Sequence, residues 1–270
     1  MKSLLETFLT LEQTALLSAT LEAQTRASGS VETPQVVRIL NERKCHDVLD
    51  AGTGEGSFLL EVARQTRGSR FLGIDHNAFA IEKANARLRR RAIKNVRFRT
   101  AYFDAAFDRK RRDAILSRYT LQHSSKPVDF VSAAFERLKR NGTFIAVESV
   151  EAHMDCHVSD PVWEAYRAAL LAVHAKIGSD GNIGRALGSL LRDAGFRDVQ
   201  VGIVLTSPST VGLERFTSVV LATTALAYTL FPKLFDRKLV RRMNRWLLDE
   251  AGIERRDPYI ATAIASGVKP

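Results

Sequence analysis

Four residues at alternate positions carry the strongest chemical signal in this chain of 270 residues. They are Asp50, Gly52, Gly54 and Gly56, set in Val48-Leu49-Asp50-Ala51-Gly52-Thr53-Gly54-Glu55-Gly56-Ser57-Phe58. A short apolar run ends in an acid, three glycines follow, and a helical pattern opens at Phe58. That order reads as a strand, a tight turn and a helix start, the first βα unit of a nucleotide-binding sheet. Glycine lets the backbone bend sharply and lets a ligand approach where a Cβ would intrude. A dinucleotide fingerprint would need its third glycine where Ser57 stands. The acid two residues ahead of the first glycine suits a cationic amino group rather than a pyrophosphate.

Asp75 lies where the same unit would need a second acid. Arg70-Phe71-Leu72-Gly73-Ile74-Asp75 reads as a second strand whose last residue is roughly 20 past the glycines, the position from which a carboxylate accepts hydrogen bonds from ribose hydroxyls. His76 stands beside it, and Asn77 is the better N-cap for the next helix, which leaves Asp75 for a ligand. After a third strand, Asn95–Thr100, the loop Ala101-Tyr102-Phe103-Asp104-Ala105 offers a ring and a carboxylate. Phe103 could stack on an adenine and Asp104 could take its exocyclic amine.

The elements that must position these residues follow from the hydrophobic pattern. Strands are predicted at 46–50, 70–75, 95–100, 113–117 and 144–150, with helices at 57–66, 78–91 and 128–139 between them. Strands separated by helices at this spacing call for a parallel sheet with right-handed crossovers. Ahead of them, apolar residues at helical spacing predict an N-terminal helix over 3–26. Ser28-Gly29-Ser30 should break it, and Thr33-Pro34 should open a helix to about Arg43. Beyond residue 150 the alternation lapses. A helix over 161–176, a glycine loop at 178–181, a helix over 184–194 and a sixth strand from Phe196 are expected. Two helical segments over 207–250, divided at Pro232, precede a closing apolar strand, Tyr259–Val268. The organisation read from this is a helical extension (1–32), a core (33–150), a cap insertion (151–183), a core helix and strand (184–206), a helical lid (207–256) and a final core strand (257–270).

Several of these stretches together resemble the class I S-adenosylmethionine (SAM)-dependent methyltransferases of the ubiquinone-biosynthesis-like, small-molecule type. Val48–Gly56 is similar to their first motif, and Gly73-Ile74-Asp75 to the acidic end of their second strand. Asp113-Ala114-Ile115-Leu116-Ser117-Arg118 with Leu121-Gln122-His123 resembles their fourth-strand segment. Leu138-Lys139-Arg140-Asn141-Gly142-Thr143-Phe144 resembles their turn before strand five, and Leu190–Phe196 their junction into strand six. The resemblance covers about 35–150, 184–205 and the last strand. It implies an α/β fold, a Rossmann-like doubly wound seven-stranded mostly parallel sheet with an antiparallel last strand and added helical cap elements. It also implies SAM at the carboxyl edge, S-adenosylhomocysteine as product, and methyl transfer to an acceptor. Ser117 and Arg118 then join Asp50, Gly52, Gly54, Gly56, Asp75, His76, Phe103 and Asp104 as cofactor-binding residues. His123, just past strand four and titrating near neutral pH, is the expected base, with Tyr119 to orient the acceptor. The apolar run Phe216–Phe231, with Trp163 and Tyr166 upstream, suggests a small, partly apolar or aromatic acceptor under a helical lid.

Composition narrows the alternatives. Cys45 and Cys156 are too few for a disulfide framework or a zinc site, so a reduced, cytoplasmic setting is expected. Glu6 and Glu12 interrupt residues 3–21, which speaks against a secretory signal. Phe216–Phe231 is shorter than the ~20 residues of a spanning helix. If extended, Glu151-Ala152-His153-Met154-Asp155-Cys156-His157 would put Glu151, His153, Asp155 and His157 on one face, yet no metal is expected. Net charge is +10, which raises nucleic-acid methylation as a rival. The asparagine-proline-proline-aromatic signature of amino-methylating enzymes is absent, and nucleic acid is an unlikely partner. A SAM-binding scaffold that works by partnering is the other alternative, and a homodimer would form through the helical extensions.

Overall fold

The computed structural model describes residues 9–66, 68–91 and 93–270; the predicted start of the N-terminal helix, 3–8, lies outside them. Strands β1 (Asp47–Ala51), β2 (Arg70–Asp75), β3 (Val96–Thr100), β4 (Arg112–Arg118) and β5 (Leu138–Ser149) are joined through helices α3 (Ser57–Gln65), α4 (Ala78–Arg89) and α5 (Pro127–Arg137). Their order is β3-β2-β1-β4-β5, all parallel. Val48, Leu49, Ile115 and Leu116 are fully buried, as strands covered by helices on both faces must be. Register pairs Asp50 with Gly73 and with Leu116, so the carboxyl ends of these strands open onto one edge. The direction reversal in β8 (Pro258–Val268) and β7 (Arg197–Thr206) completes the Rossmann-like architecture.

The chain divides into two units. One holds 32–149, 183–203 and 263–270, which is the sheet with α7 (Leu187–Asp193); the other holds 1–31, 150–182 and 204–262. The second of these is helical. It contains α1 (Leu11–Arg26), the first residues of α2 (Ser28–Glu42), α6 (Pro161–Ile177), α8 (Pro208–Val211), α9 (Leu213–Leu230), α10 (Arg237–Leu247) and α11 (Glu250–Arg256). Its core is a ring stack: Trp163 lies 5.3 Å from Trp246 and 5.7 Å from Phe216. Asp160 holds the stack together. Its Oδ1 caps α6 by accepting from Val162 and Trp163 N–H, while Oδ2 accepts from Trp246 Nε1 and Arg256 Nε. Among the described residues no helix is long and apolar enough to cross a membrane.

Five expectations change. The Ser28-Gly29-Ser30 segment does not break the helix. The chain turns at Ala27, and α2 runs on through Ser30, whose hydroxyl donates to Ala27 O, and through Pro34, with Thr33 buried inside the helix rather than capping it. Burial of this face outweighs the local preference of small polar residues for caps. Strand five starts at Leu138 rather than Phe144. Asn141 takes a left-handed φ of 62° within it, so the expected tight bend becomes an irregularity between two paired stretches. Among the described residues eight strands form where seven were expected, the additional one being the two-residue β6 (Asp155–Cys156), antiparallel to the start of β8. The 151–157 segment is not extended throughout: Glu151–His153 forms one 3-10 turn, which breaks the two-residue alternation a shared face requires. Glu151 pairs instead with His174 at 2.7 Å. Trp163 and Tyr166, expected upstream of a lid over the acceptor, are 1% exposed and belong to the core.

Candidate functional site

Asp50 closes β1 at the carboxyl edge, with 2% of its surface exposed. The chain then passes through Gly52, Gly54 and Gly56 with φ of 85°, 55° and 76°, a left-handed arc that L-residues adopt at a cost. The glycines differ in what surrounds them. A Cβ on Gly52 would collide with the Thr120 side chain, and one on Gly56 would come within 2.5 Å of the Phe98 ring. At Gly54 nothing lies within 4 Å of the Cβ position, so the arc's outer side is open to a ligand. Asp75 fastens the arc: its Oδ2 accepts from Gly54 N–H at 2.9 Å and its Oδ1 from Asn77 N–H at 2.9 Å. Asn77 caps α4, as its type and place suggest.

These environments separate two variants. Gly52→Ala combines left-handed strain with a collision against the Thr120 side chain and should cost roughly 1–3 kcal/mol of stability. Gly54→Ala should cost about 1 kcal/mol, from left-handed strain alone, while placing a methyl group where a ligand would approach. Thermal melts should therefore rank Gly52→Ala below Gly54→Ala, and calorimetric titration with S-adenosylhomocysteine should detect the larger affinity loss per degree of melting in Gly54→Ala.

A buried charge cluster lies beside the arc, and half of it was missed from the sequence. Glu32, on α2, is fully buried. Its Oε2 accepts from Arg118 Nε and its Oε1 from the Tyr119 hydroxyl, both at 2.6 Å. Desolvation works against the Arg118 charge, but Glu32, Tyr119 and Asp50 together outweigh it and hold the guanidinium above its ordinary pKa. The guanidinium lies over the Phe58 and Tyr119 rings, 4.6 and 4.4 Å from their centroids. Tyr119 itself has φ 51°, a strained conformation for a residue with a Cβ. Glu148, at the end of β5, accepts from the N–H groups of Thr120, Leu121 and Gln122, and so fastens the 3-10 turn Leu121–His123. Burial pushes Glu148 up to about 8 and Asp50 up to about 7, the Thr53 hydroxyl and Arg118 opposing the rise at Asp50. One cation thus faces the carboxyl groups of Glu32, Asp50 and Glu148. A cationic ligand would favour their charged forms over the neutral forms that burial favours.

The remaining predicted residues fall in two groups. His76 and Tyr102 stack, their rings 5.1 Å apart and 22° from parallel, and both are exposed at the edge next to Asp75. Phe103 turns the other way, packing against Phe107 and Phe130. Asp104 Oδ1 accepts from the Ala106 and Phe107 N–H groups, an Asx turn that shapes its own loop. Ser117 is fully buried, its hydroxyl without a hydrogen-bond partner. His123 Nε2 lies 3.1 Å from Gln122 Nε2, and the Ser149 hydroxyl donates to Gln122 Oε1 at 2.5 Å. No signal short of the tertiary fold would have picked out Glu32 or Glu148; Tyr102 could have been weighed beside Phe103.

Comparison with known proteins gives the family. A family model described as a methyltransferase domain matches residues 42–187, more than half of the chain. Carboxy-S-adenosyl-L-methionine synthase of Nautilia profundicola is 28% identical over 105 residues, 38% of this chain and 44% of that protein. The match thus spans less than half the relative's length. Among solved structures, phosphoethanolamine N-methyltransferase 2 of Haemonchus contortus, in complex with SAM, has a TM-score of 0.51 at 16% identity, covering 84% of this chain and 49% of that one. A geranyl diphosphate methyltransferase in complex with SAM also has a TM-score of 0.51, at 15% identity, covering 88% and 86%. At these identities the structural likenesses speak for the fold. The family match takes in the glycine arc, Asp75, the end of β4 and all of β5, and the chain belongs to the methyltransferase-domain family of SAM-dependent enzymes.

Proposed function

We propose that this chain transfers a methyl group from SAM to an oxygen or nitrogen atom of a small, partly apolar or aromatic metabolite by direct displacement. The observation that carries the reading is Asp50, a buried carboxyl beside an arc whose one open glycine position is Gly54. In this reading Asp50 receives the cofactor's ammonium group and Gly52, Gly54 and Gly56 let its chain pass close to the backbone. Asp75 and His76 hold the ribose, and Arg118 and Ser117 form the wall behind the amino acid end. The ring platform for adenine passes from Phe103 to Tyr102 and His76, because Phe103 is packed inward; Asp104 shapes the loop beneath it. When bound, SAM supplies an electrophilic methyl group on a good leaving group. What the protein adds is alignment and exclusion of water, effects that can supply about 7–11 kcal/mol.

A base is needed only where the acceptor must lose a proton. In this reading His123, in the turn after β4, takes that proton, and Tyr119 orients the acceptor through its ring, since its hydroxyl is engaged by Glu32. If His123 takes the acceptor's proton, His123→Ala should lower turnover about 10²–10⁴-fold with S-adenosylhomocysteine affinity unchanged. Near-wild-type turnover would remove that role. The small-molecule acceptor is supported by the missing asparagine-proline-proline-aromatic signature and by neighbours named for phosphoethanolamine and geranyl diphosphate. The test is S-adenosylhomocysteine release from SAM across a panel of phenols, catechols and amines. Folded protein that shows no calorimetric binding of S-adenosylhomocysteine would overturn the whole reading.

A further inference from the structure

The other edge of the sheet, where the parallel strands begin, gathers cations strand by strand. β1 is entered through Arg43 and Lys44, β2 through Arg70, and β3 through Arg91 and Lys94. β4 follows Arg109, Lys110 and Arg111, and β5 opens with Lys139 and Arg140. All of these side chains are exposed. Register sets the entries side by side, pairing Asp47 with Arg70, Phe71 with Val96 and Arg112 with Leu138. The end of β8 joins them, through Asn141 N–H to Lys269 O and Lys269 N–H to Gly142 O. With strands about 4.8 Å apart, the entries of β3 and β5 stand roughly 19 Å apart, about five to six phosphate spacings along one strand of a duplex.

The acids that open β1 and β4 are already engaged. Asp47 is held between Lys110 and Arg112, and Asp113 pairs with Lys139 at 2.6 Å. Burial pushes both carboxyls up, but these cations prevail and keep them below the ordinary range. Lys44, Arg70, Lys94, Arg109, Arg111 and Arg140 have no ion pair among the described residues. The cations crowd one another: burial lowers the Lys269 pKa and the Arg111 charge lowers it further. No exposed large apolar side chain belongs to this edge among the described residues. Those of this unit, Phe79, Tyr102, Val128, Val201 and Ile203, belong to the opposite end or to β7. A membrane-surface site would present such wedges beside its basic residues; a phosphate backbone requires only the charge.

We propose that this strand-entry edge binds the phosphate backbone of a nucleic acid, without reading sequence, at the end of the sheet away from Asp50. The contact is a docking surface, separate from methyl transfer.

Fluorescence anisotropy of a labelled oligouridylate of about 30 nucleotides, titrated with the full chain between 50 and 300 mM KCl, tests it. Affinity should fall steeply with salt, log K losing about 0.7 per phosphate contact for each unit of log salt. The triple variant Arg70→Glu, Arg111→Glu, Arg140→Glu should weaken binding at least about tenfold and flatten that slope by about 2. A matched triple on α10, Arg237→Glu, Arg241→Glu, Arg245→Glu, changes net charge equally and should stay within about twofold of wild type. Melting temperature checks that each variant is folded, and Lys94→Gln, Arg109→Gln, Arg140→Gln serves if the edge reversal unfolds the protein. Three results would overturn the proposal: no RNA binding at 50 mM KCl, equal losses in the two triples, or capture by phosphatidylserine vesicles that the RNA does not compete away.

Discussion

Replacing Asp50 by Asn should weaken S-adenosylhomocysteine binding about 10- to 150-fold, the equivalent of the roughly 1.5–3 kcal/mol that a hydrogen bond to a charged group contributes. The side chain keeps its shape, so the loss isolates the charge. The pH dependence gives a sharper test. Burial raises Asp50 to about 7, while an unfolded aspartate titrates near 3.9. Folding therefore favours the protonated carboxyl. The stability Asp50 contributes is present below pH ~4 and lost as pH rises through about 7. A ligand ammonium works in the opposite sense, because it interacts with the carboxylate and draws the pKa down. Wild-type affinity should therefore rise about tenfold between pH 6 and pH 8, one proton being released on binding. In Asp50→Asn that dependence should flatten, and the ligand-free variant should melt no lower than wild type at pH 8. Calorimetric titration at both pH values, with melts beside it, decides the matter. A pH-independent wild type would show that Asp50 does not meet the cation.

Glu32→Ala should be the most destabilising single change in the sheet unit. It leaves the Arg118 guanidinium buried over two rings without its carboxylate, and breaking such a pair costs about 3–5 kcal/mol. For a chain of this size that corresponds to a fall in melting temperature on the order of 10 °C. It also releases Tyr119 from the hydroxyl contact that helps to hold its left-handed backbone. The physical point lies in the pair rather than in either residue. Glu32→Leu with Arg118→Met removes both charges together and should recover most of the lost stability, since a well-packed apolar pair often matches a buried ion pair. Cofactor affinity should not recover with it, because the wall beside Asp50 will have lost its shape and charge. A double variant that binds S-adenosylhomocysteine as wild type does would reduce Glu32 and Arg118 to packing.

The strands, the crossover helices and the order of elements were legible because each rests on local pattern. Val48–Asp50 and Phe71–Asp75 are apolar runs closed by an acid, and Asn77 and Asp160 cap helices through their own side chains. The glycine arc was legible for a related reason: left-handed φ at Gly52, Gly54 and Gly56 is written in residue type. Which of the three faces a ligand was not, because Thr120 and Phe98 come from distant parts of the chain. Local rules also failed where burial opposed them. Ser28-Gly29-Ser30 has the composition of a break and is helical, and Phe103 and Asp104 have the types of an adenine site but serve the core and a turn.

What the sequence determined by itself is therefore the scaffold and the identity of the residues at its carboxyl edge, since period, caps and backbone freedom are properties of neighbours along the chain. Only the tertiary structure decided how those residues are charged and held. Glu32 reaches Arg118, and Glu148 reaches three successive amides, across tens of residues of sequence. Low dielectric then raises Asp50 and Glu148. Desolvation depends on everything packed around a group, and no window of sequence contains that.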